Sequence, residues 1–301
     1  MSSNAVFFLG VLIFIFVLWA ITGGPSKPFS FAGPYLKPIS GPGQVAEPYD
    51  LKRGSSSSTG SGISGSFFDL EAQIDDLSSF GEASKYRGLV SISRNPSGPR
   101  NTDAKQEYLS LSVSRRASDP ITFSGWKLES AATEVAVSIP QGVEVPHSGR
   151  VNSLSNITLN PSDTAIVTSG RSPIGVSFRE NLCTGYLSEF QDFSPELAQQ
   201  CPSAQSEIRD AGGDDECIDF GYTVPRCSVI SRAPSSLSNS CEDILGDLNY
   251  NSCAARHVDE PSFVGGTWRV FLGKSQELWR ENHETIRLLD AEGKTVDVLA
   301  Y

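Results

Sequence analysis

The sequence predicts a mainly β protein. The expected architecture is a β-sandwich with a small, disulfide-rich and partly helical insertion, together with one N-terminal transmembrane helix. Three observations predict it: an apolar stretch near the N-terminus, alternating segments that begin at about Leu89, and six cysteines confined to one later region. The predicted organisation is an anchor at 1–24, a linker at 25–66 and a domain at 67–301 that is interrupted by the insertion at about 177–266.

The N-terminal stretch Ala5 to Ile21 contains 17 residues without a polar side chain. As a helix it measures roughly 26 Å, close to the bilayer hydrocarbon thickness of about 30 Å. A cleaved signal peptide is the main alternative, but the preceding MSSN carries no Lys or Arg and no clear cleavage site follows. A buried core helix is a poorer interpretation, because the stretch is apolar on every side. We therefore expect a retained membrane anchor.

Two segments of low complexity follow the anchor. Prolines recur from Pro25 to Pro48, and a Gly/Ser-rich run extends from Gly54 to Ser66. The first composition gives a semi-stiff spacer and the second a flexible one. Beyond them, Phe67, Leu70, Ile74 and Leu77 have helical spacing. This short amphipathic helix is expected to pack on its own domain, with docking on a partner as the alternative.

From Leu89 the period of the apolar residues becomes two. In EYLSLSV the residues Leu109, Leu111 and Val113 share one face, with serines on the other, as in a half-buried strand. Further short strands follow at intervals of about ten residues, separated by Pro and Gly turns, a pattern typical of a sandwich. Trp126 follows a tight Ser-Gly turn within this series, and we expect it to be buried.

Several of these segments resemble the lamin-tail domain, which has bacterial members. The resemblance lies in QEYLSLSV, PITFSGWKLES, IPQG, ITLNPSDTAIVTSG and the final ETIRLLDAEGKTVDVLAY. Ser124-Gly125-Trp126 and the spacing of Asp290, Gly293 and Asp297 are its most specific parts. The resemblance implies an immunoglobulin-like β-sandwich. It implies no catalytic residue.

The last segment predicts a β-hairpin that closes the sandwich after the insertion. Ile286 and Leu288 alternate with Arg287, and Gly293 can adopt the positive φ that a tight turn requires. After the turn, Val296 and Val298 are assigned to the face that meets the core. The expected core residues are therefore Trp126, Ile286, Leu288, Val296 and Val298, with Gly293 in the turn.

All six cysteines lie in the predicted insertion, at Cys183, Cys201, Cys217, Cys227, Cys241 and Cys253. No C-x-x-C pair is present, which argues against a zinc site. We expect three disulfides, although the sequence leaves all fifteen pairings open. Disulfides place the domain on the extracytoplasmic side of the membrane, whereas Lys27 weakly favours the opposite orientation. Helical pieces are expected at Ser194-Pro195 and along the apolar face of Cys241, Ile244, Leu245 and Leu248.

The chain offers few candidates for chemistry or for cofactor binding. Its net charge of -11 makes nucleic acid an unlikely partner. The three histidines, His147, His257 and His283, match no metal-binding spacing and are expected to be surface or packing residues. Asp247 to Asn251 matches only half of a calcium loop, and Gly212 to Glu216 is expected to be a loop. No catalytic residue, cofactor or metal ligand is predicted, and Asn156-Ile157-Thr158 fits a glycosylation pattern.

These observations favour a non-catalytic function. The first hypothesis is a membrane-anchored extracytoplasmic module that contacts an unknown protein or surface polymer or contributes to envelope structure. The alternative is an accessory module that recruits substrate for a separate secreted hydrolase or nuclease, as lamin-tail-like domains in bacteria often accompany such enzymes. A pilin-like subunit is disfavoured because Ala5 to Ile21 contains no Glu.

Overall fold

In a computed structural model, residues 81–147, 149 and 151–301 are described. In this part of the chain the backbone forms mainly β-structure, as predicted. Its strands are β1 (Val90–Ile92), β2 (Tyr108–Val113), β3 (Ile121–Thr122), β4 (Lys127–Ser130), β5 (Ala136–Ser138), β6 (Gly142–Val143), β7 (Thr158–Leu159), β8 (Thr164–Thr168), β9 (Ser177–Asn181), β10 (Val264–Phe271), β11 (Thr285–Leu289) and β12 (Thr295–Ala300). Its helices are a 3-10 helix (Thr184–Glu189), α1 (Ala204–Asp210), α2 (Asp215–Gly221), α3 (Asn239–Gly246) and α4 (Tyr250–His257).

The largest sheet contains six strands in the order β1-β2-β8-β10-β9-β6. β10 lies between β8, to which it is parallel, and β9, to which it is antiparallel. A tight turn cannot join two parallel neighbours, so the chain must leave the sheet between β8 and β10. β9 and the entire cysteine-bearing segment lie in that connection. The insertion therefore occupies a position where the topology already requires a long crossover.

A second sheet has four strands in the order β12-β11-β4-β5, and β3 pairs with β7 in a small third sheet. One buried cluster joins the two larger sheets, combining Leu111 and Val167 from one with Leu128, Ile286 and Leu288 from the other. Trp126, which precedes β4, is 2% exposed within this core. Its ring stacks on Phe123 with 4.6 Å between ring centroids. The two sheets thus enclose a shared hydrophobic core.

The final hairpin is formed by β11 and β12, which pair antiparallel. The buried Asp290 accepts hydrogen bonds at Oδ1 from the backbone amides of Glu292 (3.0 Å) and Lys294 (2.8 Å). Gly293 has φ 81°, a left-handed conformation that favours glycine. The turn is therefore fixed by one carboxylate and one glycine.

The structure differs from the expected core at Val298, which is half-buried, while Leu299 is 2% exposed. Leu299 pairs with Ile286 and Val298 pairs with Arg287. Directly opposed residues project to the same face of a sheet, so Leu299 joins the core and Val298 joins the outer face. The register shifts close to the turn, where Leu288 pairs with Asp297 and Leu289 with Thr295. Val296 is the extra residue of this bulge and is buried, which breaks the simple alternation.

The insertion proper comprises residues 182–263, between β9 and β10. The predicted ends at about 177 and 266 were too wide, because Ser177–Asn181 and Val264–Phe271 are sheet strands. β10 was not predicted from the sequence, because Gly265 and Gly266 interrupt the alternation of apolar and polar residues in this strand. The two boundary strands anchor the insertion directly to the six-stranded sheet.

All four α-helices in the described residues lie in the insertion, and each begins at a polar N-cap. The side chains of Ser203, Asp214, Ser238 and Asn249 accept hydrogen bonds from the backbone amide three residues ahead. Such caps satisfy amides that a short helix otherwise leaves unpaired. The predicted helix start at Ser194-Pro195 is wrong, because the next helix begins only at Ala204. The predicted apolar face is present in α3, where Cys241 and Leu245 are buried and Ile244 is half-buried, and Leu248 is buried just beyond the end of the helix.

Three predicted segments lie outside the described residues: the anchor at 1–24, the linker at 25–66 and the amphipathic stretch at 67–80. Within residues 81–147, 149 and 151–301, no helix has the length and apolar character needed to cross a membrane.

Candidate functional site

The six cysteines form three disulfides with a nested arrangement. Cys183–Cys253 encloses the insertion, with a sequence separation of 70 residues. Inside it, Cys201–Cys227 and Cys217–Cys241 overlap along the chain. All six side chains are buried, so the disulfides lie within the small cores of the insertion. They settle the pairing that the sequence left open.

A cleft lies where the insertion meets the six-stranded sheet. Its volume is about 340 Å³, at the lower end of the range typical of ligand sites. The sheet side contributes Lys105, Arg171 and Phe271, and the insertion contributes residues 190–194. Phe193 is 9% exposed, whereas Phe190 is 73% exposed. A large aromatic ring at the rim is the most prominent apolar group that the insertion presents to solvent.

The loop that forms one wall of this cleft is held by a buried arginine. Arg269, in the central strand β10, is 3% exposed and forms an ion pair with Glu180 of β9. Its guanidinium also donates hydrogen bonds to the carbonyl oxygens of Pro195 (2.5 Å) and Glu196 (2.8 Å). Because the charge is paired and its donors are used, the cost of burying the arginine is offset. The wall is thereby fixed to the sheet before any ligand binds, which reduces the entropy lost on binding.

Two cations flank the cleft, Lys105 and Arg171, and both are exposed. No ion pair involving either side chain occurs among the described residues. Asp192 is also exposed and lies on the same rim. The rim therefore presents both signs of charge beside an exposed aromatic ring.

Among the buried carboxylates, two bind the segment that joins β10 to β11. Glu107 is 0% exposed and accepts hydrogen bonds from the backbone amides of Leu278 (2.8 Å) and Trp279 (3.0 Å). Burial raises the pKa of Glu107 above its usual value, opposed by these amide hydrogen bonds. Glu284 is 1% exposed and accepts from the Ser130 hydroxyl (2.9 Å) and the Arg280 amide (3.0 Å). Their oxygens hold backbone in place.

A cluster of charged side chains, here called the α1–α4 charge cluster, joins two helices of the insertion. Glu207 of α1 is 3% exposed and forms ion pairs with Arg256 and His257 of α4. The two ring nitrogens of His257 lie 2.7 Å from Glu207 Oε1 and 2.5 Å from Glu260 Oε1. Ionised carboxylates only accept hydrogen bonds, so both ring nitrogens can donate to them at once only in the imidazolium form. Burial lowers the pKa of His257, but the two carboxylates outweigh it and raise the pKa overall.

The sequence-derived candidates for metal binding are placed at helix ends. Asp247 ends α3 and Asn249 caps α4, so the half-match to a calcium loop coincides with a helix junction. Asp214 of the GGDDE segment caps α2, so part of this expected loop is helical. His147 and His283 are exposed. No group of three or more His, Cys, Asp or Glu side chains suited to a metal ion occurs within the described residues.

The negative charge of the protein is concentrated in the insertion. Residues 182–263 contain 14 Asp or Glu and four Lys or Arg, which gives this segment a charge of -10 against -11 for the whole chain. The remainder of the chain is therefore close to neutral. The acidity on which the expectation about nucleic acid is based is therefore a property of the insertion.

Sequence reasoning missed the functional geometry of this region because its parts are far apart in the chain. Lys105, Arg171, Phe190 and Phe271 are brought together only by the β8–β10 crossover. The exposed Phe190 directly follows the 3-10 helix Thr184–Glu189. Phe193, a little further along the chain, is buried. Comparisons with protein-family models, with curated proteins and with solved structures find no match to this chain.

Proposed function

We propose that this chain is a membrane-anchored, extracytoplasmic module that binds a surface partner and performs no catalysis itself. The observation that carries the proposal is the cleft between the sheet and the insertion, with Phe190 73% exposed at its rim. Exposing an aromatic ring forgoes the free energy that its burial would supply. A partner that covers Phe190 recovers that free energy, as aromatic anchors do at the centres of protein interfaces.

The disulfides support the proposed side of the membrane. Three buried disulfides are typical of an oxidising compartment. The stretch Ala5 to Ile21 supplies the proposed anchor, and the linker at 25–66 supplies the distance from the bilayer surface.

The two sheets that share one core, together with the closing hairpin, support the immunoglobulin-like interpretation and the resemblance to lamin-tail domains. On this proposal the sandwich is a scaffold, and the insertion carries the surface that distinguishes this chain. Loops on a rigid β-scaffold are a common location for binding residues.

The environment of the buried carboxylates supports a binding role over a catalytic one. Glu107 and Glu284 are the most enclosed acids beside the sheet core, and a raised pKa such as that of Glu107 is often a sign of acid–base chemistry. Here, however, backbone amides accompany the carboxylate oxygens of both residues. This arrangement fits a structural role for both.

The alternative function, recruitment of substrate for a separate secreted hydrolase, draws support from the shape of the site. Neighbouring clefts of about 340 and 520 Å³ share Lys105, Asp192, Phe193 and Ser194, so the site extends as a groove that suits a polymer. Recruitment for a nuclease is less compatible with the acidic groups along it, because carboxylates repel a phosphate backbone.

Co-sedimentation with envelope fragments from cells that express the protein tests the proposed binding function. The full-length chain in detergent is compared with Phe190→Ala and with Tyr222→Ala. Tyr222 is a matched control, because it is 67% exposed and lies elsewhere in the insertion. We expect wild type and Tyr222→Ala to bind equally and Phe190→Ala to bind about tenfold more weakly, equivalent to about 1.4 kcal/mol. Absence of binding by wild type, or equal binding by all three proteins, contradicts the proposal.

A further inference from the structure

Building on the proposed function, we infer that the partner is an uncharged, linear polysaccharide that lies along the groove at the junction of the sheet and the insertion. The inference depends on three properties of the groove: its extent, the chemistry of its lining and its balance of charge.

The extent of the groove exceeds what one small molecule occupies. The 340 Å³ cleft continues into the 520 Å³ cleft through shared residues, and a third cleft of about 170 Å³ shares Gln191, Asp192 and Phe193. Beyond Asp103 a further depression of about 660 Å³ reaches Gln276 and Glu277. Many of the lining side chains are exposed, so a ligand is held along one side only. This shape suits a chain-like ligand that enters and leaves freely.

The lining combines flat apolar surface with planar polar groups. Phe190 is 73% exposed, and Phe193 and Phe271 line the same cleft. A sugar ring has an axial C–H face that packs on such a ring and hydroxyls at its edges. Gln191, Asp192 and Gln199 supply amide and carboxylate groups that can donate to or accept from neighbouring hydroxyls. This pairing of ring faces with amide and carboxylate edges fits a polyhydroxylated ligand better than a lipid or an apolar peptide.

The charge along the groove argues against a charged polymer. Two cations, Lys105 and Arg171, face four carboxylates, those of Asp103, Asp192, Glu196 and Glu277. A polyanion meets repulsion along most of this path, and the surrounding insertion adds to it. A polycation meets both exposed cations at the rim of the 340 Å³ cleft. An uncharged polymer avoids both costs and uses the charged groups as hydrogen-bond partners.

Titration calorimetry of the full-length protein with soluble cello-oligosaccharides and N-acetylated chito-oligosaccharides tests the inference, with oligogalacturonate as the charged comparison. We expect at least one neutral series to bind, with an affinity that is almost the same at low and high salt. Electrostatic binding is screened by salt, whereas stacking and hydrogen bonding to neutral groups are not. Phe190→Ala should weaken binding about tenfold, and Tyr222→Ala should leave it unchanged.

Binding of oligogalacturonate alone, lost at high salt, overturns the inference. It is also overturned if no neutral oligosaccharide binds while wild type still sediments with envelope fragments in a Phe190-dependent manner. In that case the proposed binding function survives, and protease treatment of the fragments identifies a protein partner. Failure of the sedimentation experiment itself contradicts the proposed function instead.

Discussion

At the scale of single residues, Trp126 connects the local sequence to the core of the molecule. Gly125 has φ 90°, a conformation that favours glycine, and directs the chain into β4. Trp126 then lies between Phe123 and Tyr86, with ring centroids 4.6 and 5.1 Å away. The indole therefore joins two separate segments of the chain within the shared core.

Replacing Trp126 by alanine should lower the free energy of unfolding by about 3–5 kcal/mol, because truncating a buried aromatic side chain removes burial and leaves a cavity. Urea denaturation of the oxidised protein measures the change. Phe190→Ala is the control and should change stability by less than about 0.5 kcal/mol, as expected for an exposed side chain. A loss below about 1 kcal/mol for Trp126→Ala would mean that the indole contributes little to the core.

The structural roles of some of these residues could be predicted from the sequence and those of others could not, for physical reasons. Trp126 and Gly293 were predictable because a Ser-Gly turn and an Asp-to-Gly hairpin are local signals. Glu107 was not recognised as buried, since an isolated glutamate normally remains in water. Its partners, the amides of Leu278 and Trp279, lie about 170 residues away in the chain.

At the scale of secondary structure elements, the bulge in the final hairpin decides which residues of β12 meet the core. Alternation predicts Val296 and Val298 on one face, but the extra residue at Val296 changes the face of those that follow it. Bulges rarely leave a clear signal in a short strand. The existence of the hairpin could therefore be predicted from the sequence, whereas the pairing register of its two strands could not.

The bulge predicts unequal effects for two adjacent substitutions in β12. Leu299→Ala should cost about 2–5 kcal/mol, because Leu299 is 2% exposed in the core. Val298→Ala should cost about 1 kcal/mol or less, because its side chain is half-buried on the outer face. Chemical denaturation of the two variants compares them directly. Larger destabilisation by Val298→Ala than by Leu299→Ala contradicts the register described here.

The α1–α4 charge cluster makes the insertion sensitive to pH. His257 faces Glu207 and Glu260, and Arg256 and the Tyr186 phenol lie near Glu207. The folded-state pKa of His257 is raised above the ordinary value of 6.5. The folded state therefore holds the proton more tightly than the unfolded state. The stabilisation is fully present below pH 6.5 and is lost as the pH rises through the folded-state pKa.

We therefore expect the insertion to become less stable as the pH is raised above 6.5, and His257→Gln to abolish most of that dependence. Glutamine keeps hydrogen-bonding capacity but cannot titrate. Hydrogen exchange at the amides of α4 measures the effect on both sides of that pH. Tyr186 does not interfere, because burial raises the pKa of its phenol to about 12. An equal pH dependence in wild type and His257→Gln would refute the role assigned to the cluster.

At the scale of the whole molecule, two parts with different sources of stability share one chain. The sheets bury a large core of aliphatic and aromatic side chains. The insertion instead divides its buried residues between two small clusters that contain all six cysteines. Each disulfide contributes about 2–4 kcal/mol by restricting the unfolded chain. The insertion thus depends on oxidation more than the sheets do.

Reduction should therefore release residues 182–263 before the final hairpin. Hydrogen exchange with and without reductant should show early loss of protection at Leu245 and Leu248, while Ile286 and Leu299 remain protected. The amides of β9 and β10 should lose protection after those of the insertion and before those of the final hairpin. These strands adjoin the insertion but pair within the sheet. Simultaneous loss at Leu245 and Ile286 would mean that the two parts unfold as one cooperative unit.

The sequence predicted the mainly β character and the oxidised insertion, because alternation and clustered cysteines are strong signals. It could not predict the disulfide pairing or the central position of β10, because both depend on contacts across a long crossover. The cleft could not be predicted from the sequence either, because its two sides come together only when β10 pairs with β8.

The number of free thiols in the chain as it exists in cells tests most directly the central claim, that this is an oxidised module on the extracytoplasmic side. Cells are quenched in acid, and the protein is alkylated without reduction and then again after reduction, with intact mass counting the labelled cysteines. We expect no alkylation before reduction and six alkylated cysteines after it, in agreement with the three disulfides. Six alkylated cysteines before reduction would place the domain in a reducing compartment and contradict the account.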